Sequence, residues 1–403
     1  MSDGSASTTT VQIEVRQWLA DNWDEALPRK EWLGRVADSG WAAPSWPAQW
    51  HGKGLDPTLT NTVKAEFRRA GADGTGQDRT NLWANTVLAF GSDELKQQFL
   101  RPLLMGEVNM CLLYSEPGAG SDLAGIQTRA ERDGDEWIVN GQKVWTSGGR
   151  QADYALLITR TDWDVPKHRG ITFFWFPMKQ DGVEVRALRQ ATGDARFNEV
   201  FITDGRVPNH NILGEQNNGW MVLQTALQYE RAAMGENQRR RQTQRADSAV
   251  RSAGDEAPAP VPDLSLTDLA RDVAKSGDPM IRQRLATLHS LVKVNEWNNL
   301  RAKAELAQGN SSSVVSLGKL AMSRILHTAG SLQTELLGAE GMTGGTSSPR
   351  SADATYALLN AFFTSIGGGT DQIQRNIIGE RILGLPKEPE LDKTVPFREV
   401  RKA

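Results

Sequence analysis

The stretch LLYSEPGAGSDLAG, residues 112–125, lies where the chain changes from helix-like to strand-like patterning. Pro117 and the glycines beside it predict a tight turn, because proline presets one dihedral angle and glycine allows conformations closed to other residues. We expect Ser115, Ser121 and backbone N–H groups to face into this turn, where they could bind a planar ring system and phosphate oxygens. Alone, the pattern fits an ordinary loop between two domains better than a binding site.

The chain before this stretch is predicted to be helical over residues 11–110. VQIEVRQWLADNW carries apolar residues on a loose period of three to four, as one face of a helix does. SDELKQQFLRPLLMGE opens with Ser92, a residue type that caps helix N-termini. An N-terminal helical domain follows from these patterns.

The chain after it, to about residue 215, is predicted to form short strands. EWIVNGQKVWTS predicts two strands joined at Asn140–Gly141, because Asn-Gly is the strongest short hairpin signal. Further strands are predicted in YALLITRT, GITFFWFPM, VEVRAL and FNEVFIT, which are rich in β-branched and aromatic residues. The turn residues between them predict a compact antiparallel barrel or sandwich.

Helical patterning returns after residue 216. Helices are predicted over 219–236, 280–308, 313–338, 352–363 and 371–384. RSAGDEAPAPVPD, between the first two, predicts a flexible connection. The predicted class is α+β, with an N-terminal helical domain at 1–110, a middle antiparallel β-barrel domain at 111–216 and a C-terminal helical bundle at 217–403, flexible at about 245–265.

The totals exclude several classes of protein. A chain of 403 residues with net charge −3 is expected to have several domains and to lack the basic field that attracts nucleic acid. The single cysteine, Cys111, excludes an intramolecular disulfide, and the scattered histidines predict no metal site. No apolar run approaches the roughly 20 residues of a membrane span. The N-terminus lacks the order of a signal peptide, so we expect a cytoplasmic protein.

Two further segments suit a planar cofactor that carries phosphates. KVWTSGG, residues 143–149, places the flat face of Trp145 beside the hydroxyls of Thr146 and Ser147. TSIGGGTDQIQRNIIGER, residues 364–381, places three glycines before a helix, where an anion can meet bare backbone N–H groups. Packing explains most of the 13 tryptophans, so KVWTSGG does not decide the function alone.

In this order and spacing, the three segments resemble the acyl-CoA dehydrogenase family of flavoproteins, most specifically over 111–149, 196–236 and 364–386. The plan of helical, β and helical parts is similar too. The resemblance implies FAD as cofactor, dehydrogenation of an acyl-CoA thioester to the trans-2-enoyl-CoA, and an electron-transfer flavoprotein as electron acceptor. It also implies an oligomer, which would be a homodimer, a homotetramer or a heterotetramer with a second acyl-CoA dehydrogenase-like subunit.

The resemblance also assigns roles to residues. The cofactor-binding residues would be Leu112, Tyr114, Ser115, Ser121, Trp145, Thr146, Ser147, Thr370 and Gln372. The substrate-binding residues would be Ser121, Arg231 and Gly368. In the family reaction a carboxylate removes the α proton, and a backbone N–H, here that of Gly368, stabilises the charge that develops on the thioester oxygen.

The base is predicted to be Glu230. In GWMVLQTALQYERAAMG it shares a helical stripe with Trp220, Leu223 and Leu227, and a carboxylate on an apolar face is costly unless it is paired or used. Burial would raise its pKa towards neutrality. A structural ion pair is the competing interpretation of a Glu followed by Arg. The resemblance favours the base, because some family members carry theirs on a helix of the C-terminal domain.

Three other carboxylates are rivals for this role. Asp371 stands among the glycines but fits better as a first-turn acid that complements a helix dipole. Glu335 and Glu340 are weaker rivals. The basic run ENQRRRQTQR, residues 236–245, is interpreted as a solvated helix end rather than a nucleic-acid site.

Two departures from the family pattern bear on assembly. The Arg-x-x-Phe-Gly segment of many relatives is missing where APAPVPDLSLTDLARDVAKSGDPM stands, and Glu335 replaces a flavin-contacting Gln. This chain could therefore be the base-bearing half of a heteromeric enzyme. The glycines at 367–369 leave room for a branched, long or bulky acyl group. The alternatives are an oxygen-using flavoenzyme on the same fold, either an acyl-CoA oxidase or a flavin monooxygenase, and a non-catalytic partner subunit.

Overall fold

The computed structural model describes residues 7–230, 262–308, 315–344, 348–387, 389 and 391–400. These residues belong to two compact units. The first unit contains 7–188, 195–230 and 391–400, and the second contains 189–194 and the described residues between 262 and 389. The predicted sequence of helical, β and helical parts is confirmed.

The first unit begins with the α-helices α1 (Thr8–Asn22), α2 (Arg29–Asp38), α3 (Thr60–Arg69), α4 (Gln77–Thr80), α5 (Leu82–Phe90) and α6 (Asp93–Leu104). Helix α1 buries Val11, Val15 and Leu19 at helical spacing. The predicted cap is also confirmed, because the Ser92 hydroxyl accepts a hydrogen bond from the N–H of Leu95 at the start of α6.

A seven-stranded sheet follows, with β1 (Met110–Leu113), β2 (Arg129–Asp133), β3 (Glu136–Ser147), β4 (Tyr154–Arg160), β5 (Ile171–Pro177), β6 (Val183–Leu188) and β7 (Phe197–Pro208). The strand order is β1-β4-β2-β3-β7-β6, and β5 pairs with β4 outside this path. The sheet is mixed rather than antiparallel throughout, because β1 and β2 each pair with β4 in parallel. Both strands reach β4 through long connections, which lack the tight turn that makes neighbouring strands antiparallel.

The predicted hairpin turn at Asn140–Gly141 is wrong. Strand β3 is continuous through this dipeptide, and the turn between β2 and β3 lies earlier, at Gly134, whose φ is 62°. Asn140–Gly141 marks a shift of register against β7 instead. A Cβ on Gly141 would lie 2.4 Å from Thr128 Oγ1, so this glycine allows the close approach of a neighbouring chain segment.

Strands β4 and β5 divide their side chains between two cores, as the two-residue period of a strand requires. One core joins the sheet to the N-terminal helices and contains Leu156, Ile158, Phe173 and Trp175. The alternate residues, Ala155, Leu157, Phe174 and Phe176, belong to the second core. Helix α7, residues 219–230, buries Val222, Leu223 and Ala226 in the first core. This packing holds α7, whose last described residue is Glu230, in the core of the first unit.

The second unit is helical, with α8 (Pro262–Asp272), α9 (Pro279–Ala307), α10 (Val315–Leu337), α11 (Pro349–Ile366) and α12 (Asp371–Ile377), followed by a π turn over Ile378–Ile382. Its core includes Leu266, Ala270, Ile281, Leu288, Leu332 and Leu336. Helix α8 is not among the predicted helices and begins inside the connection predicted as flexible. Residues 231–261, which include the rest of that connection and the basic run, lie outside the described residues. None of the helices described is long and apolar enough to cross a membrane.

Candidate active site

The first two predicted cofactor segments lie side by side in the first unit. The N–H of Val144 donates a hydrogen bond to the Ser115 carbonyl at 2.9 Å. The buried Thr146 hydroxyl donates to the Leu112 carbonyl at 3.2 Å. The ends of β1 and β3, which are remote in sequence, are therefore joined by hydrogen bonds. The half-buried Ser115 lies where they meet.

The predicted tight turn is closed by two backbone hydrogen bonds between Glu116 and Ala119, at 3.1 and 3.0 Å. We call residues 115–125 the flavin turn, after the role predicted for it. Gly118 and Gly120 have no atom within 4 Å of the position that a Cβ would take. Ser121 beside them is exposed. The flavin turn thus presents bare backbone and a hydroxyl to open space.

Trp145 stands next to the flavin turn on a distorted part of β3. Its φ is 64°, and it lies in a shift of register between β3 and β7. A left-handed backbone is unusual for a bulky residue, and such strain concentrates at functional sites. The side chain is 57% exposed and touches Phe197 edge-on at 5.9 Å between ring centroids. More than half of the Trp145 surface is therefore accessible, and the exposed Ser147 lies two residues further along.

Two buried charges support the flavin turn, and neither was predicted as a site residue. Lys143 Nζ donates to Glu116 Oε1 at 2.9 Å and to the Tyr114 carbonyl at 3.1 Å. Glu116 also accepts the backbone N–H groups of Gln127 and Thr128, at 2.7 and 2.9 Å.

The electrostatics of this pair favour the ionised carboxylate. Burial raises the pKa of Glu116, but the charge of Lys143 and the hydrogen bonds to the carboxylate outweigh burial, so the pKa lies below its ordinary value. Burial lowers the pKa of Lys143, and the charge of Glu116 opposes that shift. Glu116 is therefore a carboxylate at neutral pH.

The predicted base lies near the strand end that leads into the flavin turn. Glu230, the last described residue of α7, is half-buried. Burial raises the pKa of the Tyr114 phenol well above its ordinary value, and the negative charge of Glu230 raises it further. Within the described residues, the buried Tyr114 hydroxyl makes no hydrogen bond. Glu230 thus acts electrostatically on the residue that immediately precedes Ser115.

The third predicted segment lies in the second unit, and we call residues 367–369 the glycine turn. Gly368 and Gly369 have φ values of 66° and 89°, in the left-handed region that favours glycine. No atom lies within 4 Å of a Cβ on Gly368. The Thr370 hydroxyl caps α12 by accepting the N–H of Ile373 at 3.2 Å, and it keeps a proton to donate. Gln372 is exposed.

A chain of hydrogen-bonded side chains supports the glycine turn. The Ser323 hydroxyl donates to Asp371 Oδ2 at 2.8 Å. Because this uses the proton of Ser323, the Ser365 hydroxyl donates to Ser323 at 2.9 Å, and His327 Nε2 donates to Ser365 at 2.5 Å. Lys319 Nζ lies 3.6 Å from the other carboxylate oxygen. Asp371, the first rival base, is thereby held by α10, and Ser323 and His327 are site neighbours that sequence reasoning missed.

The other predicted residues have simpler surroundings. Glu335 forms an ion pair with Arg284, and Glu340 accepts a hydrogen bond from the Ser348 hydroxyl. Arg231 lies outside the described residues. The described ranges contain no group of three or more His, Cys, Asp or Glu residues that could hold a metal ion.

The helical, β and helical plan is that of a three-domain fold, and comparison with known proteins gives the family. Models of the acyl-CoA dehydrogenase N-terminal, middle and C-terminal domains match residues 7–107, 111–204 and 264–383. The chain therefore belongs to the acyl-CoA dehydrogenase family. The family consists of oxidoreductases that act on CH–CH bonds, and membership implies FAD as the cofactor.

Several relatives align over nearly the whole chain. Acyl-CoA dehydrogenase IpdE1 of Mycobacterium tuberculosis is 33% identical over 402 residues, which cover 94% of this chain and 97% of IpdE1. Acyl-CoA dehydrogenase FadE34 of the same organism is 35% identical over 368 residues, 90% of this chain but 47% of FadE34. The solved ChsE4-ChsE5 complex from M. tuberculosis is 27% identical with a TM-score of 0.63, and the match covers 96% of this chain and 100% of the matched chain.

Proposed function

We infer that this chain catalyses the α,β-dehydrogenation of an acyl-CoA thioester to the trans-2-enoyl-CoA, with FAD as cofactor and Glu230 as the base. The observation that carries the inference is the position of the half-buried Glu230 at the end of α7, a helix that packs in the same core as Tyr114, the residue that leads into the flavin turn. Glu230 and the two residues predicted to face the flavin, Ser115 and Trp145, belong to the same folded unit.

The residues present suit FAD. Gly118 and Gly120 offer bare backbone, Ser115 and Ser121 offer hydroxyls, and Trp145 offers an accessible aromatic face. In the second unit, the proton of the Thr370 hydroxyl suits a phosphate or sugar oxygen of the cofactor. When bound, FAD supplies the acceptor for the hydride that leaves the β carbon.

The chain's own residues handle the proton and the developing charge. The Glu230 carboxylate takes the α proton, and its half-burial supports this role, because a carboxylate shielded from water is a stronger base. The N–H of Gly368 donates to the thioester oxygen and stabilises the enolate that forms as the proton leaves. A glycine at this position keeps that N–H while allowing the left-handed backbone.

The acyl group in this proposal is branched, long or bulky. The open space around the missing Cβ of Gly368 supports it, because a side chain there would compete with the substrate. Placing the base on α7 leaves the glycine turn free for the same purpose.

The proposed assembly pairs this chain with a second acyl-CoA dehydrogenase-like subunit, and electrons pass to an electron-transfer flavoprotein. Two observations support the pairing. The Arg-x-x-Phe-Gly segment typical of the family does not occur in the sequence. A relative that is 27% identical was solved as the complex of ChsE4 with ChsE5.

The base assignment is tested by Glu230→Gln, with the bleaching of bound FAD by isovaleryl-CoA and palmitoyl-CoA as the readout. Loss of a general base typically costs a factor of 10² to 10⁴, so we expect bleaching to slow by at least about 100-fold while FAD stays bound. Glu31→Gln, which removes an exposed carboxylate paired with Arg35 in the same unit, is the matched control and should bleach at the wild-type rate. Normal bleaching by Glu230→Gln together with slow bleaching by Asp371→Asn would move the base to the glycine turn.

The assembly and the electron acceptor need separate measurements. The chain is purified alone, and its mass and flavin absorbance are recorded. Less than one FAD per chain is expected, rising when a second subunit is co-expressed, whereas a homotetramer with one FAD per chain would contradict the pairing. Fast peroxide formation in air would favour the acyl-CoA oxidase alternative over the dehydrogenase.

A further inference from the structure

The described C-terminal segment, residues 391–400, is docked on the connection between β4 and β5. The N–H of Phe397 donates to the Val165 carbonyl at 2.9 Å, and the N–H of Arg398 donates to the Trp163 carbonyl at 3.0 Å. The Phe397 side chain is 4% exposed, and its ring lies 5.4 Å from that of Trp163 between centroids. Backbone pairing around a buried aromatic residue marks a specific contact.

Phe397 also covers a buried cation that holds the flavin turn. The Arg160 guanidinium lies 3.8 Å from the centroid of the Phe397 ring. Arg160 is fully buried and donates from Nη2 to the Ala124 carbonyl and from Nη1 to the Lys167 carbonyl, each at 2.6 Å. An aromatic face over a desolvated cation is favourable, and it also keeps water from the hydrogen bonds that the guanidinium donates.

A second cation makes a parallel connection. Lys167 Nζ forms ion pairs with Asp122 of the flavin turn and with Asp392 of the C-terminal segment. Burial lowers the pKa of Lys167, but the hydrogen bonds and charges of the two carboxylates raise it by more, so the ammonium stays charged. Asp122 immediately follows Ser121, a predicted contact of both cofactor and substrate.

We propose that the C-terminal segment positions the flavin turn through Arg160 and Lys167, with Phe397 and Asp392 as positioning residues for FAD binding. The proposal rests on the proposed function in taking residues 115–125 as part of the cofactor site. The positioning itself follows from the contacts, because Ala124 and Asp122 are held by cations that the C-terminal segment covers or pairs with. Removing Phe397 opens Arg160 to water and loosens its hold on the Ala124 carbonyl.

The test uses the full chain with Phe397→Ala and Asp392→Asn. Arg398→Gln is the matched control, because the Arg398 side chain is on the same segment but pairs with the exposed Asp164 rather than with Asp122 or the Ala124 carbonyl of the flavin turn. Two readouts are taken, which are hydrogen exchange of the amides of 115–128 and the dissociation constant of added FAD. For Phe397→Ala we expect exchange in 115–128 to accelerate about tenfold and FAD to bind about tenfold more weakly, as expected for the loss of one desolvated cation–π contact.

The controls separate positioning from general destabilisation. Phe397→Tyr, which keeps the aromatic face, should restore both readouts, and Arg398→Gln should leave both at the wild-type value. Unchanged exchange in Phe397→Ala would overturn the proposal even if dehydrogenation were intact, and so would faster exchange with unchanged FAD affinity. If the wild-type chain turned over no acyl-CoA, the proposed function would fail. The positioning would still be supported if amide exchange were slower and FAD bound more tightly in the wild-type chain than in Phe397→Ala.

Discussion

The flavin turn of the first unit and the glycine turn of the second are alike at their tips and different underneath. Both present bare glycine backbone to open space, at Gly118 and at Gly368. The flavin turn is supported by the buried ion pair of Lys143 and Glu116. The glycine turn is supported by hydroxyl groups and a histidine that end on Asp371.

The ion pair beneath the flavin turn and the hydrogen-bonded chain beneath the glycine turn differ in how much stability the loss of one residue costs. In a buried ion pair, removing one partner leaves a desolvated charge without compensation, which is among the costliest changes in a folded protein. In a chain of hydroxyls that ends on a partly exposed carboxylate, water can replace a lost donor. The flavin turn should therefore tolerate less change beneath it than the glycine turn.

The largest expected effect is that of Lys143→Met. It leaves the Glu116 carboxylate buried without its cation, and we expect the free energy of unfolding of the first unit to fall by about 3–5 kcal/mol. Urea unfolding followed by fluorescence measures it. The double variant with Glu116→Gln should recover more than half of the loss, because no charge then stays buried. A cost below about 1 kcal/mol for Lys143→Met would refute the difference between the two turns.

The same pair predicts a dependence on pH. The pKa of Glu116 is lowered from its ordinary value of 4.5, so its contribution to stability is full above that pH and is lost as the pH falls through the lower value of the folded protein. Urea unfolding between pH 5.5 and about pH 3 should show a stability that declines below about pH 4.5. The Lys143→Met, Glu116→Gln double variant should decline less, and an equal decline would assign the acid sensitivity to other carboxylates.

The sequence revealed the tips of both turns but not their supports. Glycines and proline mark a turn locally, so Gly118 and Gly368 could be predicted from their immediate neighbours. Lys143 could not, because strand alternation would place it on the same face as Trp145, and the shift of register in β3 buries one and exposes the other. The pairing of Ser323 with Asp371 joins residues 48 apart, which no local pattern specifies.

The register of β3 shows the same limit at the level of the fold. Asn140–Gly141 carries a strong local hairpin signal, but tertiary packing overrides it, because the glycine is needed for the close approach of Thr128. The order of the three domains could be predicted, since hydrophobic period and composition change along the chain and need no long-range information.

An intermediate effect is expected for Ser323→Ala in the second unit. It removes one hydrogen bond to a carboxylate, and such bonds contribute about 1.5–3 kcal/mol to stability. The thermal midpoint of the second unit should fall accordingly, measured by calorimetry of the intact chain. Ser290→Ala, which removes an exposed hydroxyl that donates to the Ala286 carbonyl of its own helix, is the control and should change little. If Ser323→Ala cost as much stability as Lys143→Met, the proposed difference between the two turns would be wrong.

The smallest expected effect belongs to a tip residue, Trp145, and concerns binding rather than stability. The ring is 57% exposed, so Trp145→Ala should change the free energy of unfolding by less than about 0.5 kcal/mol. If the ring stacks on the flavin, FAD should bind about 2- to 13-fold more weakly, the equivalent of about 0.5–1.5 kcal/mol for an aromatic stack. Fluorescence titration with FAD measures it. Trp297→Ala, which removes a ring that is 63% exposed on α9, is the control. Equally weakened FAD binding in both variants would mean that the exposed ring of Trp145 has no special role. Weaker FAD binding in Trp145→Ala alone would show that this exposed residue binds the cofactor, while buried residues such as Lys143 maintain the fold.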